Sequence, residues 1–152
     1  MRTLGLALFA LVLFVGSPAS AQVPNAPTGP ARDLPTPVLT AFEKAYPTAT
    51  ISEVSTERNG SALAFRVDSV DKGRRRVIVY TATGSVLETS EQVEEKDLPK
   101  PVLDAVHSHP KAVYVKGMKI TKSITTYYQL TLRGTRKTTM TVRPDGSLVD
   151  FK

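Results

Sequence analysis

The chain has 152 residues and no cysteine. That excludes disulfides, a thiol nucleophile and lipid attachment through an N-terminal cysteine. Stability must therefore come from burial. Histidine is scarce as well. The two present, His107 and His109, stand two apart at an expected helix end. Residues so spaced do not share a helical face, and no third ligand is evident, so they make a poor metal pair. A G-x-S-x-G elbow and a phosphate-cradling glycine loop are both missing. The densest acidic run, Glu88, Glu91, Glu94, Glu95 and Asp97, reads as a solvated linker, because acid–base carboxylates need a pocket and a fixed separation. These absences imply no cofactor, no metal and no enzyme activity.

Long apolar runs are absent except at the start. Leu4 to Val15 follows Arg2 and precedes Ser17-Pro18 and Ala19-Ser20-Ala21. A charged n-region, a short h-region and an A-x-A site are the pattern of a secretory signal peptide over residues 1–21, cleaved before Gln22. The expected location is periplasmic or secreted, with no membrane span after cleavage. Residues 22–32 carry Pro24, Pro27, Pro30 and Gly29 and read as a disordered or extended linker. The net charge is +6, from 20 Lys and Arg against 14 Asp and Glu. A basic balance suits nucleic acid, an anionic membrane or acidic protein partners, or serves solubility alone, and export argues against nucleic acid.

What the chain does have is a phrase written twice. Asp33-Leu34-Pro35-Thr36-Pro37-Val38-Leu39-Thr40-Ala41 returns as Asp97-Leu98-Pro99-Lys100-Pro101-Val102-Leu103-Asp104-Ala105. A repeat of this length is one supersecondary unit, copied. Units over 33–96 and 97–152 follow. The prolines suit a helix's first turn, and Leu34 and Val38 are spaced as a hydrophobic staple. Val38, Ala41, Phe42 and Ala45 form a helical stripe, repeated by Val102, Ala105 and Val106. Pro47 and Pro110 end the two helices. The remainder alternates with period two, which predicts strands. Leu63, Phe65 and Val67 share one face, with Tyr128, Leu130 and Leu132 as counterparts. Ile78 and Tyr80 match Met140 and Val142. Asn59-Gly60, Thr83-Gly84 and Asp145-Gly146 mark turns, and short last strands are expected near 85–92 and 147–151. The expected fold is α+β: two helix-plus-four-stranded antiparallel units in one long sheet, with helices on one face.

The face away from the helices then carries Arg75, Val77, Val79, Tyr127, Gln129, Thr131, Arg133, Thr139 and Thr141, with Ala64, Arg66, Thr81 and Arg143. It looks short of acids and rich in Thr, Arg and Tyr, which suits protein docking. Arg74-Arg75-Arg76 is the densest basic run and reads as a protruding hairpin tip. A second reading places a small anion between the units near Lys116 and Arg136.

The Leu-Pro-x-x-Val-x-x-Ala phrase, the Tyr-Pro or His-Pro helix end and the Asp-Gly-type turn before a short apolar strand, in tandem behind a signal peptide, carry a resemblance. The chain resembles the PepSY-like family, in its branch of β-lactamase-inhibitor-like (BLIP-like) proteins, over about Asp33 to Lys152. The resemblance implies an exported, non-enzymatic protein-binding module with an exposed sheet surface. It also implies inhibition or regulation of an extracytoplasmic enzyme such as a peptidase or β-lactamase.

Overall fold

The computed structural model describes residues 29–109 and 111–149. The signal-peptide residues, most of the expected linker and Pro110 lie outside them. The described chain runs through helix α1 (Thr36–Ala45) and strands β1 (Thr50–Asn59), β2 (Ala62–Asp71), β3 (Arg74–Thr81) and β4 (Val86–Val93). Helix α2 (Lys100–His107) follows, then β5 (Val113–Lys122), β6 (Thr125–Arg133) and β7 (Lys137–Val142). The seven strands form one antiparallel sheet in chain order. The fold is α+β, as expected, with one strand fewer among the described residues. Where an eighth was expected, Leu148 makes a single antiparallel bridge to Val142, and the Val149 N–H donates to the Thr141 carbonyl at 2.9 Å. The end of the expected linker is also more ordered than foreseen: Gly29–Asp33 is a short 3-10 helix lying against β1.

Both helices start as the doubled phrase predicts. Pro35 and Pro99 cap them at φ −56° and −57°, and a second proline sits in each first turn, where a missing N–H costs nothing. Val38 and Phe42 of α1, and Val102 and Val106 of α2, are buried. Ala45, expected in the stripe, is exposed: it is the last helical residue, and the buried stripe stops one turn earlier. Leu34, Val38 and Phe42 join Phe65, Val67, Ile78 and Tyr80 in one core cluster. Leu98, Val102 and Val106 join Tyr128, Leu130, Leu132, Met140 and Val142 in another. Following the ladder from Val67 through Ile78, Thr89 and Thr121 to Thr126 shows that both clusters lie on the same side of the sheet.

The ladders correct one pairing between the halves. Val67 stands opposite Ile78, and Leu130 stands opposite Met140. The counterparts are therefore Phe65 with Tyr128, Val67 with Leu130 and Ser69 with Leu132. Leu63 drops out of the core; beside the Asn59–Gly60 turn it is 52% exposed. A slip of two residues leaves the alternation unchanged, so periodicity could not detect it. Each half also carries a register shift at matching positions, between Ile51 and Glu53 and between Tyr114 and Lys116.

The β3–β4 turn and the turn after β7 are built alike. Gly84 and Gly146 have φ of +83° and +87°, and a Cβ on either would come within 2.5 and 2.6 Å of the Pro37 and Pro101 carbonyl oxygens. The turn glycines thus rest on the proline-started helices, which locks each helix to its hairpin. Gly84→Ala and Gly146→Ala should each cost about 2–4 kcal/mol in urea unfolding, combining left-handed strain with a backbone clash. Gly60→Ala, at φ +63° with open space around it, should cost only about 1–2 kcal/mol.

Candidate functional site

Among the described residues, no helix covers the second side of the sheet. Register places the nine residues singled out from sequence on this side, in two groups. Arg75, Val77 and Val79 lie on β3. Tyr127, Gln129, Thr131 and Arg133 lie on β6, with Thr139 and Thr141 opposite on β7. The groups are three strand steps apart, roughly 14 Å. Between them stand Glu88, Ser90 and Gln92 of β4 and Met118, Ile120 and Lys122 of β5, which pattern reading did not assign to the face. The ladder supplies them: Ile120 sits between Ser90 and Tyr127, and Met118 between Gln92 and Gln129.

Exposure divides the nine. Arg75, Gln129, Arg133 and Thr139 are exposed, while Tyr127 and Thr141 are half-buried. Val77, Val79 and Thr131 are buried, against expectation for contact residues. The reason for the valines is their neighbours: register sets Val79 between Arg66 and Glu88, whose stems shield a short apolar group, and Val77 beside Asp68, on which the Arg66 and Arg75 side chains converge. Burial, followed by the nearby Glu88 charge, raises the Tyr127 pKa above its ordinary value.

The face is not short of acids. Glu53 and Glu57 lie on its β1 margin, opposite Asp68 and Ala64. Asp68, with its side chain 6% exposed, accepts bonds from Arg66 Nε at 3.0 Å and Arg75 Nε at 3.1 Å. The Arg74–Arg76 run is correspondingly not a free basic tip. Arg74 pairs with Glu94 at 3.3 Å and Asp97 at 3.0 Å. Arg76 pairs with Glu91 at 2.7 Å and lies 4.2 Å over the Tyr46 ring on the helix side. Three acids of the run expected as a solvated linker, Glu91, Glu94 and Asp97, thus serve as counter-ions to Arg76 and Arg74, while Glu88 pairs with Lys122. Burial opposes the Arg76 charge, but its bond to Glu91 and the Glu91 and Tyr46 charges outweigh that and leave its pKa raised.

The halves differ sharply in charge. From Thr50 to Val93 there are six acids and six Lys or Arg; from Lys111 to Val149 there are eight Lys or Arg and a single acid, Asp145. At the outer edge of β7 lies a cleft of about 740 Å³, lined by Leu132, Arg136, Thr139, Met140 and Leu148 among others. His109 also lines it, whereas His107 lies 3.7 Å from Glu95. Lys116 does not line it, and the cleft is at the sheet's far margin rather than between the halves. This moves the expected anion position.

No protein-family model matches the chain, and no curated protein resembles it in sequence. Solved structures do match its shape. A BLIP-like protein from Bacteroides fragilis aligns over 78% of this chain and 85% of its own, at 21% identity and a TM-score of 0.59. The chain has the BLIP-like fold. A candidate periplasmic protein from Bacteroides eggerthii aligns over 77% of this chain and 86% of its own, at 15% identity and a TM-score of 0.62. A DUF2874 family protein from Bacteroides uniformis covers 76% and 86%, at 15% identity and a TM-score of 0.61. The PepSY-like resemblance is compatible with this BLIP-like fold. Among the described residues, no helix is long and apolar enough to cross a membrane.

Beneath the face, Tyr80 is 1% exposed and its hydroxyl has no hydrogen-bond partner among the described residues. Burial and the neighbouring Tyr46 push its pKa up to about 12, against a smaller lowering by Arg76. A raised tyrosine pKa means that the folded state holds the proton more tightly. Its contribution is complete below the unfolded value of 10.0 and is lost as pH rises through about 12. Tyr80→Phe should therefore flatten the fall in stability over that window. At pH 7 it should be neutral or stabilising by about 1 kcal/mol, since no bond is lost. Urea titrations at pH 7 and pH 11 check both.

Proposed function

We propose that this protein is an extracytoplasmic, non-enzymatic binding module that docks a partner protein on its uncovered sheet face. The single observation behind this reading is that face itself. It is continuous over seven strands, apolar and aromatic at half-buried Met118 and Tyr127, with Ile120 buried beside Tyr127, and rimmed by exposed polar and charged groups. An apolar centre within a polar rim is the anatomy of protein interfaces. Gln129, Arg133, Thr139 and Arg75 are the accessible contacts, with Tyr127 as the aromatic anchor. The signal-peptide pattern and the description of the B. eggerthii neighbour support the location. Two copies of a helix-plus-four-stranded unit are the proposed origin of the sheet. The name of the B. fragilis neighbour favours inhibition or regulation of an extracytoplasmic enzyme, such as a β-lactamase or peptidase, as the biological form of docking.

A photo-crosslinking residue at Gln129, on the uncovered face, should give a defined protein adduct in the native compartment. The same residue at Glu43, on the exposed side of α1, should give none. Tyr127→Ala should reduce the Gln129 adduct at least several-fold. Equal adducts from both positions would exclude the face.

A second reading, a small anionic ligand, draws on the β7 cleft, where Arg136 stands beside Thr139 and Thr141 with no carboxylate among the described lining residues. Phosphate or citrate at 100 times its dissociation constant should stabilise the protein by about 2.7 kcal/mol. Unchanged unfolding curves across both anions would remove this reading.

A further inference from the structure

Comparison of matched positions on the uncovered face exposes a charge reversal. Glu53 and Lys116 are equivalent, each following its strand's register shift and facing Asp68 and Thr131 respectively. Carrying the correspondence along the ladders pairs Asp68 with Thr131, Val70 with Arg133 and Arg75 with Lys137. In the first half this corner holds two acids and one base, and its arginine is tied to Asp68. In the second half the same corner holds three bases and no acid.

The three cations Lys116, Arg133 and Lys137 are exposed, and none takes part in an ion pair among the described residues. Arg133 and Lys137 stand directly opposite on neighbouring strands, a placement that destabilises a sheet. By ladder spacing, the Arg133 position stands about 5 Å from Lys137 and about 8 Å from Lys116, and the outer two stand about 12 Å apart. On β2 and β3 the guanidinium groups of Arg66, Arg74, Arg75 and Arg76 have carboxylate partners. At this corner the described residues supply no carboxylate partner.

We propose that the partner supplies them: the corner of Lys116, Arg133 and Lys137 receives an acidic segment of the docked protein, carrying two or three Asp or Glu side chains. The inference rests on the face-docking reading and names the chemistry of its partner. A protein acid fits better than a polyanion or lipid surface. The cationic corner is compact rather than a long track, and it runs directly into the Gln129 and Met118 surface that would seat uncharged side chains.

The test uses the mature protein and a fluorescent ten-residue oligoglutamate, read by anisotropy. Binding should weaken as salt rises. K116E/R133E should weaken it at least tenfold, and K116Q/R133Q by several-fold in case the reversal disturbs folding. K44E/R58E makes the same change in net charge at exposed positions away from the corner and should shift binding less than threefold. Equal losses in K116E/R133E and K44E/R58E would overturn the inference, since net charge alone would then explain binding. So would tighter binding to phosphatidylglycerol vesicles than to the peptide, lost in K116E/R133E, because the corner would then read lipid. Gln129 crosslinking that persists unchanged in K116E/R133E would sink the acidic-partner assignment and leave the face reading intact. Corner-dependent peptide binding without any Gln129 adduct would do the reverse.

Discussion

The pairing of β4 with β5 is the joint on which the molecule depends. Glu88 to Val93 runs antiparallel to Lys122 to Gly117 and turns two small half-sheets into one. The joint is bolted by the Tyr114 hydroxyl, which donates to the Val93 carbonyl at 2.6 Å. Gly117 makes that bolt possible. A Cβ there would come within 2.8 Å of the Tyr114 hydroxyl and 2.7 Å of Leu130. Val93, although it belongs to β4, packs against the core of the second half. Separated, each half would bury a core of only seven or eight residues, and domains that small are marginal. Joined, they share one sheet and leave one unbroken face open.

Much of this was legible in the sequence. Proline placement marked where α1 and α2 start, alternation marked the strands, and Asn59-Gly60, Thr83-Gly84 and Asp145-Gly146 marked turns that the structure contains. The identity of the two sides of the sheet followed from the same alternation. Two kinds of information were not legible. Ladder register is invisible to a period of two, so Leu63 was placed in the core and Phe65 matched to the wrong partner. Ion pairing is also set by register rather than by spacing along the chain. Arg76 and Glu91 are neighbours only because β3 and β4 align them, and from the chain alone each belonged to a run of like charges.

The site was legible as a face but not as a surface with internal differences. Residue types pointed to the side of Tyr127 and Arg133. They could not reveal that Val77 and Val79 are shielded, that Met118 and Ile120 complete the apolar centre, or that Arg75 is occupied by Asp68. Burial depends on which long side chains the ladder sets beside a short one. The BLIP-like fold accounts for the open face, and a shared fold leaves the partner undetermined. Only differences between matched positions of the two halves carry information about it.

The opposed corners also give the sheet an electric direction. With Glu53 and Glu57 at the β1 margin and Arg133 and Lys137 toward the β7 margin, the field changes sign along the strand order. A body with such a moment rotates as it nears another charged surface, within the roughly 8–10 Å that physiological salt leaves unscreened. It would therefore arrive second half first, already aligned before any contact forms. The two ends of one sheet would then have separate duties in time, the cationic end governing the encounter and the apolar centre governing how long it lasts.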